Sequence, residues 1–477
     1  MVPLGRQQIF VAGEWGDGPS ELPVTSPSTG EVIATTYCAG AAEFERAVSA
    51  AVDVQAALRS LPTHERSAIL RRVEAGVLAR RDEIAEVLTA EAGKPIRDAL
   101  SEVERSAFTF RVAAEEAERI YGEVLPLDLN VASEGRTGII KRFPVGPVAG
   151  ISPFNLPMGL AVHKVAPAMA AGCPVVLKPP SAAPLTMLKV AEIIAEAGAP
   201  QGSVSILPMT RETGDRLVAD DRFKLLSFTG SPEVGWDLKA RAGKKKVVLE
   251  LGGNAAAIID ETADLDRAVG RCVYGAFKYA GQLCISVQRI LVHERRWDDF
   301  VEQFIARAAA LKVGDPFDPT NDLGPMIDRN AVERIAGWVD AAVSAGAKML
   351  LGGPATGNYF PPTILVDAPH TSNVCAQEAF APVVALAPFS SFEDALREAN
   401  ASSFGLQAGV FTNDLAHAWA AFHELEVGGV VINDAPTYRI DHMPYGGVKD
   451  SGLGREGLRW SIEDMTEPRL LVIPQGG

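Results

Sequence analysis

The stretch Val148-Ala-Gly-Ile-Ser-Pro-Phe-Asn-Leu-Pro-Met-Gly-Leu-Ala-Val-His-Lys-Val-Ala-Pro-Ala-Met-Ala-Ala-Gly-Cys-Pro-Val-Val-Leu-Lys178 decides the fold of this 477-residue chain. Its apolar runs predict strands at 148–151 and 174–177, with a helix at 160–171 between them. Short apolar strands that alternate with helices predict a parallel sheet covered on both faces. Ligands bind such sheets at the carboxyl ends of the strands.

The same alternation continues toward the C-terminus, whereas the residues that precede this stretch have other patterns. Residues 1–40 have the pattern of short strands and turns, and residues 41–121 that of helices. The strand–helix alternation continues to about residue 251 and restarts near Gly253, which predicts a second α/β series. Two segments fall outside it: residues 122–143 alternate polar and apolar side chains, and residues 469–473 are strand-like. Both segments are expected to need a partner.

Composition excludes several classes of protein. A chain of this length predicts two or three domains. The net charge of −15 argues against a nucleic-acid or anionic-membrane surface. The most apolar region, residues 145–177, is interrupted by prolines and by His163 and Lys164, so no membrane span is expected. The N-terminus has no basic region followed by an apolar run, so no secretion signal is expected.

The cysteines are scattered, without C-x-x-C spacing, and the histidines form no metal-binding cluster. This pattern predicts neither a disulfide framework nor a metal site, and it favours a reducing cytoplasm. Cys284 is nevertheless a candidate nucleophile, because it follows a predicted helix at 265–279 and then Gly281, which places it on a tight loop. A nucleophilic thiolate predicts a polar, partly open setting.

Two further segments supply candidate catalytic groups. Glu250 ends an apolar strand and precedes two glycines, and Asn155 is fixed between two prolines. Each residue also has a structural interpretation: the cysteine as a small buried hydrophobe, the glutamate as a solvent-facing or paired carboxylate, and the asparagine as a turn residue. A nucleophile, a base and an amide donor together favour acyl chemistry on sulfur.

Three motifs in this order resemble the signatures of the aldehyde dehydrogenase superfamily: Glu250-Leu-Gly-Gly, Gly281-Gln-Leu-Cys284 and Gln377-Glu378-Ala-Phe380-Ala-Pro382. The nearest resemblance is to non-acylating members acting on small hydroxy or anionic aldehydes, such as lactaldehyde or succinate semialdehyde. It implies an α/β fold with a Rossmann-like cofactor domain (1–123 and 144–252), a catalytic domain (253–448) and a small β oligomerisation arm (124–143 and 458–477). It also implies homodimers or homotetramers.

The turn Phe228-Thr229-Gly230-Ser231-Pro232 predicts an exposed helix N-terminus suited to a pyrophosphate, although many such turns bind nothing. The resemblance assigns a group of residues to NAD or NADP: Ile151, Phe154, Lys178, Ser181, Thr229, Gly230, Ser231, Gly235, Glu378 and Phe380. Strictly NAD-dependent relatives commonly have Glu where Ser181 stands. The serine predicts that NADP is tolerated, and NADP preference is the hypothesis to test.

The resemblance also implies a mechanism, in which Cys284 forms a thiohemiacetal and then a thioester, Asn155 stabilises the oxyanion and Glu250 activates water. Pocket residues implied by it, together with Leu156, are Leu160, His163, Leu283 and Ile285. Arg439 and His442 are further candidates for binding an anionic or hydroxylated aldehyde, unless Arg439 pairs with Asp441 or another carboxylate. The alternatives are a thiol hydrolase and a non-enzymatic binding protein on the same scaffold.

Overall fold

The computed structural model describes residues 4–474. The terminal residues of the predicted cofactor domain (1–3) and arm (475–477) lie outside this range. The helices, numbered in chain order, are α1 (Ala41–Asp53), α2 (Gln55–Ser60), α3 (Thr63–Ala79), α4 (Arg81–Ala92), α5 (Ile96–Ala117), α6 (Gly159–Ala171), α7 (Leu185–Glu196), α8 (Arg211–Ala219), α9 (Pro232–Arg241), α10 (Leu265–Phe277), α11 (Trp297–Ala309), α12 (Arg329–Ser344), α13 (Asn373–Ala376), α14 (Phe392–Asn400), α15 (Leu415–Glu424) and α16 (Leu458–Asp464).

The predicted α/β fold is confirmed. The strands are β1 (Ile9–Val11), β2 (Glu14–Gly16), β3 (Ser20–Thr25), β4 (Val32–Cys38), β5 (Glu123–Pro126), β6 (Arg136–Pro144), β7 (Val148–Ile151), β8 (Val175–Lys178), β9 (Val204–Ile206), β10 (Leu225–Thr229), β11 (Lys246–Glu250), β12 (Ala255–Ile259), β13 (Val287–His293), β14 (Lys348–Leu351), β15 (Thr363–Val366), β16 (Val383–Phe389), β17 (Phe404–Gly405), β18 (Gln407–Phe411), β19 (Gly429–Ile432), β20 (Val448–Lys449), β21 (Gly452–Leu453) and β22 (Thr466–Pro474).

The first large sheet has eight strands in the order β2-β1-β9-β8-β7-β10-β11-β21. Its strands β9, β8, β7, β10 and β11 run parallel. From β7 the chain builds outward through β8 and β9, then returns to build β10 and β11 on the other side. The order therefore reverses between β7 and β10, which is where ligands bind in open α/β sheets.

Both faces of this sheet are covered by helices, as the apolar strands predicted. Consecutive residues of β8 belong to different cores: Val175 and Leu177 pack with α3 to α7, whereas Val176 packs with α1 on the opposite face. Side chains of a strand alternate between faces, so a strand buried on both sides is apolar throughout.

The second large sheet has seven strands in the order β14-β15-β16-β13-β12-β18-β19, all parallel except β14 with β15. Cys284 lies just before β13, and Gly253 lies just before β12. The candidate nucleophile is therefore at the amino end of this sheet. Glu250 is at the carboxyl end of β11 in the first sheet, and only the segment 251–254 separates the two sheets at this point.

A third, three-stranded sheet has the order β22-β6-β5, as the two segments outside the α/β alternation predicted. One difference concerns where its last strand begins. The predicted arm starts at residue 458, but residues 458–464 form helix α16, whose buried Leu458 and Ile462 pack with the core around α5 and α6. The exposed strand begins only at Thr466.

The predicted helix at 265–279 also ends earlier than expected. Helix α10 stops at Phe277, and the next residues form a 3-10 turn in which Tyr279 and Ala280 have φ of +50° and +51°. The Tyr279 hydroxyl donates to the carbonyl of Ala92 at 2.8 Å, and its ring is fully buried. This anchoring provides the physical reason for the left-handed turn, which amphipathic periodicity does not reveal.

Candidate active site

Asn155 lies on the turn that follows β7, at the position where the strand order reverses. Its side chain is 3% exposed, and its amide nitrogen donates to the carbonyl oxygen of Gln282 at 3.0 Å. Gln282 precedes Cys284 by two residues on the second unit's loop. The structure therefore brings the predicted amide donor next to the predicted thiol loop.

Cys284 is held on a loop that requires an unusual backbone. Gly281 has φ of +68°, and a Cβ at this position would lie 2.1 Å from the carbonyl oxygen of Ala381. Only glycine combines this conformation with so close an approach. The loop thus fixes the thiol between the two large sheets.

The setting of the thiol differs from the expectation of a polar, partly open environment. Cys284 is half-buried and packs against Ile285, Leu406 and Tyr445. Burial raises the pKa of the Cys284 thiol to about 12, while the Tyr445 hydroxyl, 3.0 Å from Sγ, opposes this rise. Since the loop brings apolar side chains from two other segments against the sulfur, spacing along the sequence gave no sign of them.

Glu250 is buried beside the end of β21, which pairs antiparallel with β11. Within residues 4–474, neither of its carboxylate oxygens has a hydrogen-bond partner. Burial, followed by the nearby Glu456 carboxylate, raises its pKa well above the usual value. A Cβ at Gly446 would lie 2.7 Å from Oε1, so the glycine leaves open the space around this oxygen.

A chain of buried charges lies behind Glu250. The Glu456 carboxylate accepts hydrogen bonds from Lys164 and from Arg439, each at 3.1 Å. Lys164 also donates to the hydroxyl of Thr229 at 2.7 Å. Arg439, proposed above as a ligand for an anionic substrate, is thus paired with a carboxylate, as the alternative interpretation held. That carboxylate is Glu456 rather than Asp441.

A cavity of about 240 Å³ opens onto Cys284. The predicted substrate residues that line it, with Leu156, are Leu160, His163, Leu283, Ile285 and Arg439. His442 is different, because it is exposed and is not part of the lining. The reason is that the chain turns at Asp441, which faces inward and binds His163 at 3.0 Å, so the next side chain points to solvent.

Sequence reasoning missed three cations in this cavity, which come from α5, α10 and the residue after α10. The side chains of Arg105, Arg271 and Lys278 are 41%, 36% and 24% exposed. Each also has a carboxylate partner: Asp441 for Arg105, Asp434 for Arg271 and Asp98 for Lys278. No motif marks them, since they meet only where α5 and α10 line the same cavity.

The turn after β10 has the features of an anion site at a helix N-terminus. Ser231 is the N-cap of α9 and Pro232 its first residue, as predicted, yet the exposed Ser231 hydroxyl makes no capping bond. Gly235 packs against Leu251, where a Cβ would approach to 2.4 Å. Thr229 is turned inward to Lys164, so its hydroxyl is already used.

Lys178 is the last residue of β8, and Ser181 follows it by three residues. Within the part of the chain that the structure describes, no group bonds to the Lys178 ammonium, and burial lowers its pKa. Ser181 is exposed. A free donor and an uncharged, open position therefore lie on the same side of the first sheet as the α9 N-terminus.

Glu378 and Phe380 lie beside Gly253 and Phe154, respectively. The Glu378 carboxylate accepts from the backbone N–H of Gly253 at 3.1 Å, and burial raises its pKa to about 7. The Phe380 ring, whose residue has φ of +47°, meets the Phe154 ring edge-on with centroids 5.8 Å apart. Ile151 ends β7 between these groups and the α9 turn. A free ammonium, open N–H groups, a carboxylate and an aromatic edge form a donor set that fits a dinucleotide.

One buried ion pair joins the two segments that flank the cavity. Lys94 binds Glu102, and its ammonium lies 4.5 Å from the centroid of the Tyr279 ring. Glu102 also accepts the backbone N–H groups of Met158 and Gly159 at 3.1 and 3.0 Å, at the start of α6. The Asn155 turn and the Cys284 loop are therefore both anchored to α5.

Residues 4–474 contain neither a metal-binding cluster nor a membrane-spanning helix. In residues 4–474, His, Cys, Asp and Glu side chains form no group of three or more placed to hold a metal ion. Across the same residues, every helix is too short or too polar to span a bilayer.

Comparisons with known proteins show the family of this chain. The model of the "Aldehyde dehydrogenase family" matches residues 15–471. The chain is 43% identical over 466 residues to 3-sulfolactaldehyde dehydrogenase of Priestia aryabhattai, covering 98% of this chain and 97% of that protein.

Solved structures give the same result. Aldehyde dehydrogenase 21 of Physcomitrella patens, in complex with the reaction product succinate, is 47% identical with a TM-score of 0.98, covering 100% of both chains. The glyceraldehyde-3-phosphate dehydrogenase GapN of Methanocaldococcus jannaschii, complexed with NADP, is 39% identical with a TM-score of 0.91, covering 95% of this chain and 99% of that one.

The α/β fold and these comparisons identify an NAD(P)-dependent oxidoreductase that acts on aldehydes. The chain belongs to the aldehyde dehydrogenase family.

Proposed function

We propose that this enzyme oxidises a small aldehyde bearing an anionic group to the carboxylic acid, with Cys284 as nucleophile, Asn155 as oxyanion donor and Glu250 as base. The observation that carries this proposal is the position of the three groups. Cys284 lines the cavity, the Asn155 amide bonds to its loop, and the unpaired Glu250 carboxylate is buried where the two sheets meet.

In the first half of the proposed reaction, the Cys284 thiolate adds to the aldehyde carbon and forms a C–S bond. The carbonyl oxygen becomes an oxyanion, which the Asn155 amide stabilises together with the backbone N–H of Cys284. One such donor contributes about 3 kcal/mol to the transition state. Lys178, Ser231, Glu378 and Phe380 would hold a dinucleotide, which would supply the hydride acceptor. Loss of hydride from the adduct leaves a thioester on Cys284.

In the second half, Glu250 removes a proton from water, and the resulting hydroxide attacks the thioester carbon. The C–S bond then breaks, which releases the carboxylic acid and the thiolate. Glu250 must be ionised for this step. Because burial raises its pKa, we expect the rate of thioester hydrolysis to increase as pH rises through that raised pKa.

The charge of the cavity supports the anionic substrate. Arg105, Arg271 and Lys278 are only partly buried and line its wall, so they are open to a carboxylate, sulfonate or phosphate group. Relatives named for such substrates include 3-sulfolactaldehyde dehydrogenase of Priestia aryabhattai and succinate-semialdehyde dehydrogenase of Arabidopsis thaliana. The volume of about 240 Å³ suits an aldehyde of a few carbon atoms.

We propose that NADP is accepted and preferred. The exposed Ser181 places no negative charge beside the crevice, whereas a carboxylate at this position would repel a 2′-phosphate. A kcat/KM at least tenfold higher with NAD than with NADP would refute the preference.

We also propose a homodimer or homotetramer assembled through residues 124–143 and 466–474. Strand β22 lies at an edge of its sheet, with Leu470, Leu471, Val472 and Ile473 about half exposed. Strand β19 is the edge of the seven-stranded sheet, beside the exposed Trp419 and Phe422 of α15. Free strand edges and apolar patches are a liability unless they are paired. Sedimentation at the 50.6 kDa of one chain would contradict this assembly.

Cys284→Ala and Glu250→Gln test the mechanism, with NAD(P)H formation followed at 340 nm. We expect Cys284→Ala to lose all aldehyde oxidation. In Glu250→Gln, hydrolysis should slow by about 10²–10⁴-fold while acylation persists, so each subunit should release one NAD(P)H in a burst. Full activity of Cys284→Ala would exclude Cys284 as the nucleophile. A Glu250→Gln variant with neither burst nor turnover would exclude the division of roles.

A further inference from the structure

The thiol of Cys284 has a single polar side-chain contact among residues 4–474, the hydroxyl of Tyr445 at 3.0 Å. Tyr445 is 3% exposed, and its backbone is paired with that of Glu456 in both directions: each N–H donates to the other's carbonyl, at 3.0 and 2.6 Å. The hydroxyl therefore reaches the sulfur from a fixed position.

Arg439 lies on the other side of the tyrosine. Its guanidinium carbon is 3.7 Å from the centroid of the Tyr445 ring, and Glu456 holds the guanidinium there. A cation on the face of a phenol stabilises electron density in the ring and strengthens the O–H as a donor. The mechanism proposed above leaves this arrangement without a role.

The other charges facing the sulfur do not replace this donor. Glu378 and Glu250 face Cys284 and disfavour a thiolate, whereas Arg439 favours one but acts through space. The groups facing Tyr445 are Cys284, Arg439 and Glu250. Burial first, and then the two acidic neighbours, raise the pKa of Tyr445 well above its usual value. The tyrosine thus keeps its proton and can only donate to a thiolate.

We propose that Tyr445 is a further functional residue of this enzyme, whose O–H donates to the Cys284 thiolate and makes ionisation of the thiol easier. The S–H bond breaks heterolytically and its proton passes to solvent, while Tyr445 retains its own. The sulfur then exchanges this hydrogen bond for the bond to the aldehyde carbon. The inference rests on Cys284 being the nucleophile. The alternative is that Tyr445 merely packs beside Ile285 and Leu406 around the thiol.

The test is the pH dependence of Cys284 alkylation by iodoacetamide, without aldehyde or cofactor. Labelling is quantified on the peptide containing Cys284, because Cys375 is also partly exposed. Tyr445→Phe removes only the hydroxyl. Tyr438→Phe is the matched control, since Tyr438 lines the same cavity and has no hydrogen bond from its hydroxyl to the thiol.

We expect Tyr445→Phe to raise the thiol pKa by about one unit, and Tyr438→Phe to leave it unchanged. Alkylation below the pKa should then slow by about threefold in Tyr445→Phe. The thiolate fraction falls about tenfold, but the more basic thiolate is a better nucleophile. A Tyr445→Phe profile that overlays the parent, or equals that of Tyr438→Phe, would overturn the proposal.

A second measurement avoids dependence on the folding of the variant. Biosynthetic replacement of tyrosine by 3-fluorotyrosine makes the hydroxyl a stronger donor and should lower the thiol pKa, whereas packing alone predicts no change. Both measurements stand apart from turnover. If Cys284→Ala retained oxidation, the proposed function would fail, whereas an unchanged alkylation profile would reject only the role of Tyr445.

Discussion

The two sides of Cys284 are built in different ways. On the cofactor side, Lys178 ends one strand of a parallel sheet, and Phe154 and Ser231 follow the ends of two others. Neither the Lys178 ammonium nor the Ser231 hydroxyl has a hydrogen-bond partner within residues 4–474. On the substrate side, the cavity is assembled from α5, α6, α10 and the loop at 437–445. Its charged groups are mostly bound to one another.

The difference shows that charge in a cavity does not by itself identify a ligand site. Arg439 and His163 have the residue types expected for binding an anion, yet Glu456 and Asp441 occupy them. Burying a charge is costly unless it is paired, so the most buried cations are those most completely satisfied by the protein itself. The cations left for a substrate are the partly exposed ones.

The largest effect expected from this difference is on stability. Arg439→Met leaves the buried Glu456 with only Lys164, and we expect the free energy of unfolding to fall by about 3–5 kcal/mol. Urea denaturation measures it, with Arg241→Met as control, because Arg241 and both of its carboxylate partners, Asp215 and Asp237, are exposed and its loss should cost about 1 kcal/mol or less. An Arg439→Met enzyme with the parent's midpoint and only a raised KM would restore Arg439 as a substrate ligand.

A smaller effect is expected on KM, because Arg105, unlike Arg439, is exposed enough to contact the substrate. Arg105→Met is expected to raise KM about tenfold for a four-carbon aldehyde ending in a carboxylate, which corresponds to about 1.4 kcal/mol. For butanal, which carries no charge, KM should change little. Equal increases for both aldehydes would mean that Arg105 shapes the cavity without recognising the anion.

The smallest effect is expected on the cofactor side, because Ser181 is exposed and its substitution breaks no buried ion pair. Ser181→Glu should lower kcat/KM for NADP about fivefold through repulsion of the 2′-phosphate, and leave that for NAD nearly unchanged. Ser181→Gln is the isosteric control without charge. If the glutamate and glutamine variants behaved alike, size rather than charge would set the preference.

The same contrast explains how much the sequence could predict. The strands, the Asn155 turn, the Ser231 N-cap and the Cys284 loop are local features, each defined by a few consecutive residues. They predicted the α/β fold well, although the helix before Cys284 ended at Phe277 rather than Tyr279.

The remaining features depend on contacts between distant segments. Tyr445 meets Cys284 across 161 positions, and Lys164 meets Glu456 across 292. No periodicity or spacing encodes such pairs. Such contacts between distant segments determine the apolar setting of the thiol, the ion pair of Arg439 with Glu456 and the outward direction of the His442 side chain. These three features therefore became visible only in the folded chain.

The pairing of β21 with β11 completes the surroundings of the proposed base, Glu250. Glu250 sits at a sheet edge that stays open until Gly452 and Leu453 close it, and Glu456 follows only after them. A nascent chain that contains Asn155 and Cys284 but not yet residues 452–456 therefore lacks the groups that surround Glu250. Catalytic power should depend on the docking of residues 452–456, which are synthesised after Asn155, Glu250 and Cys284.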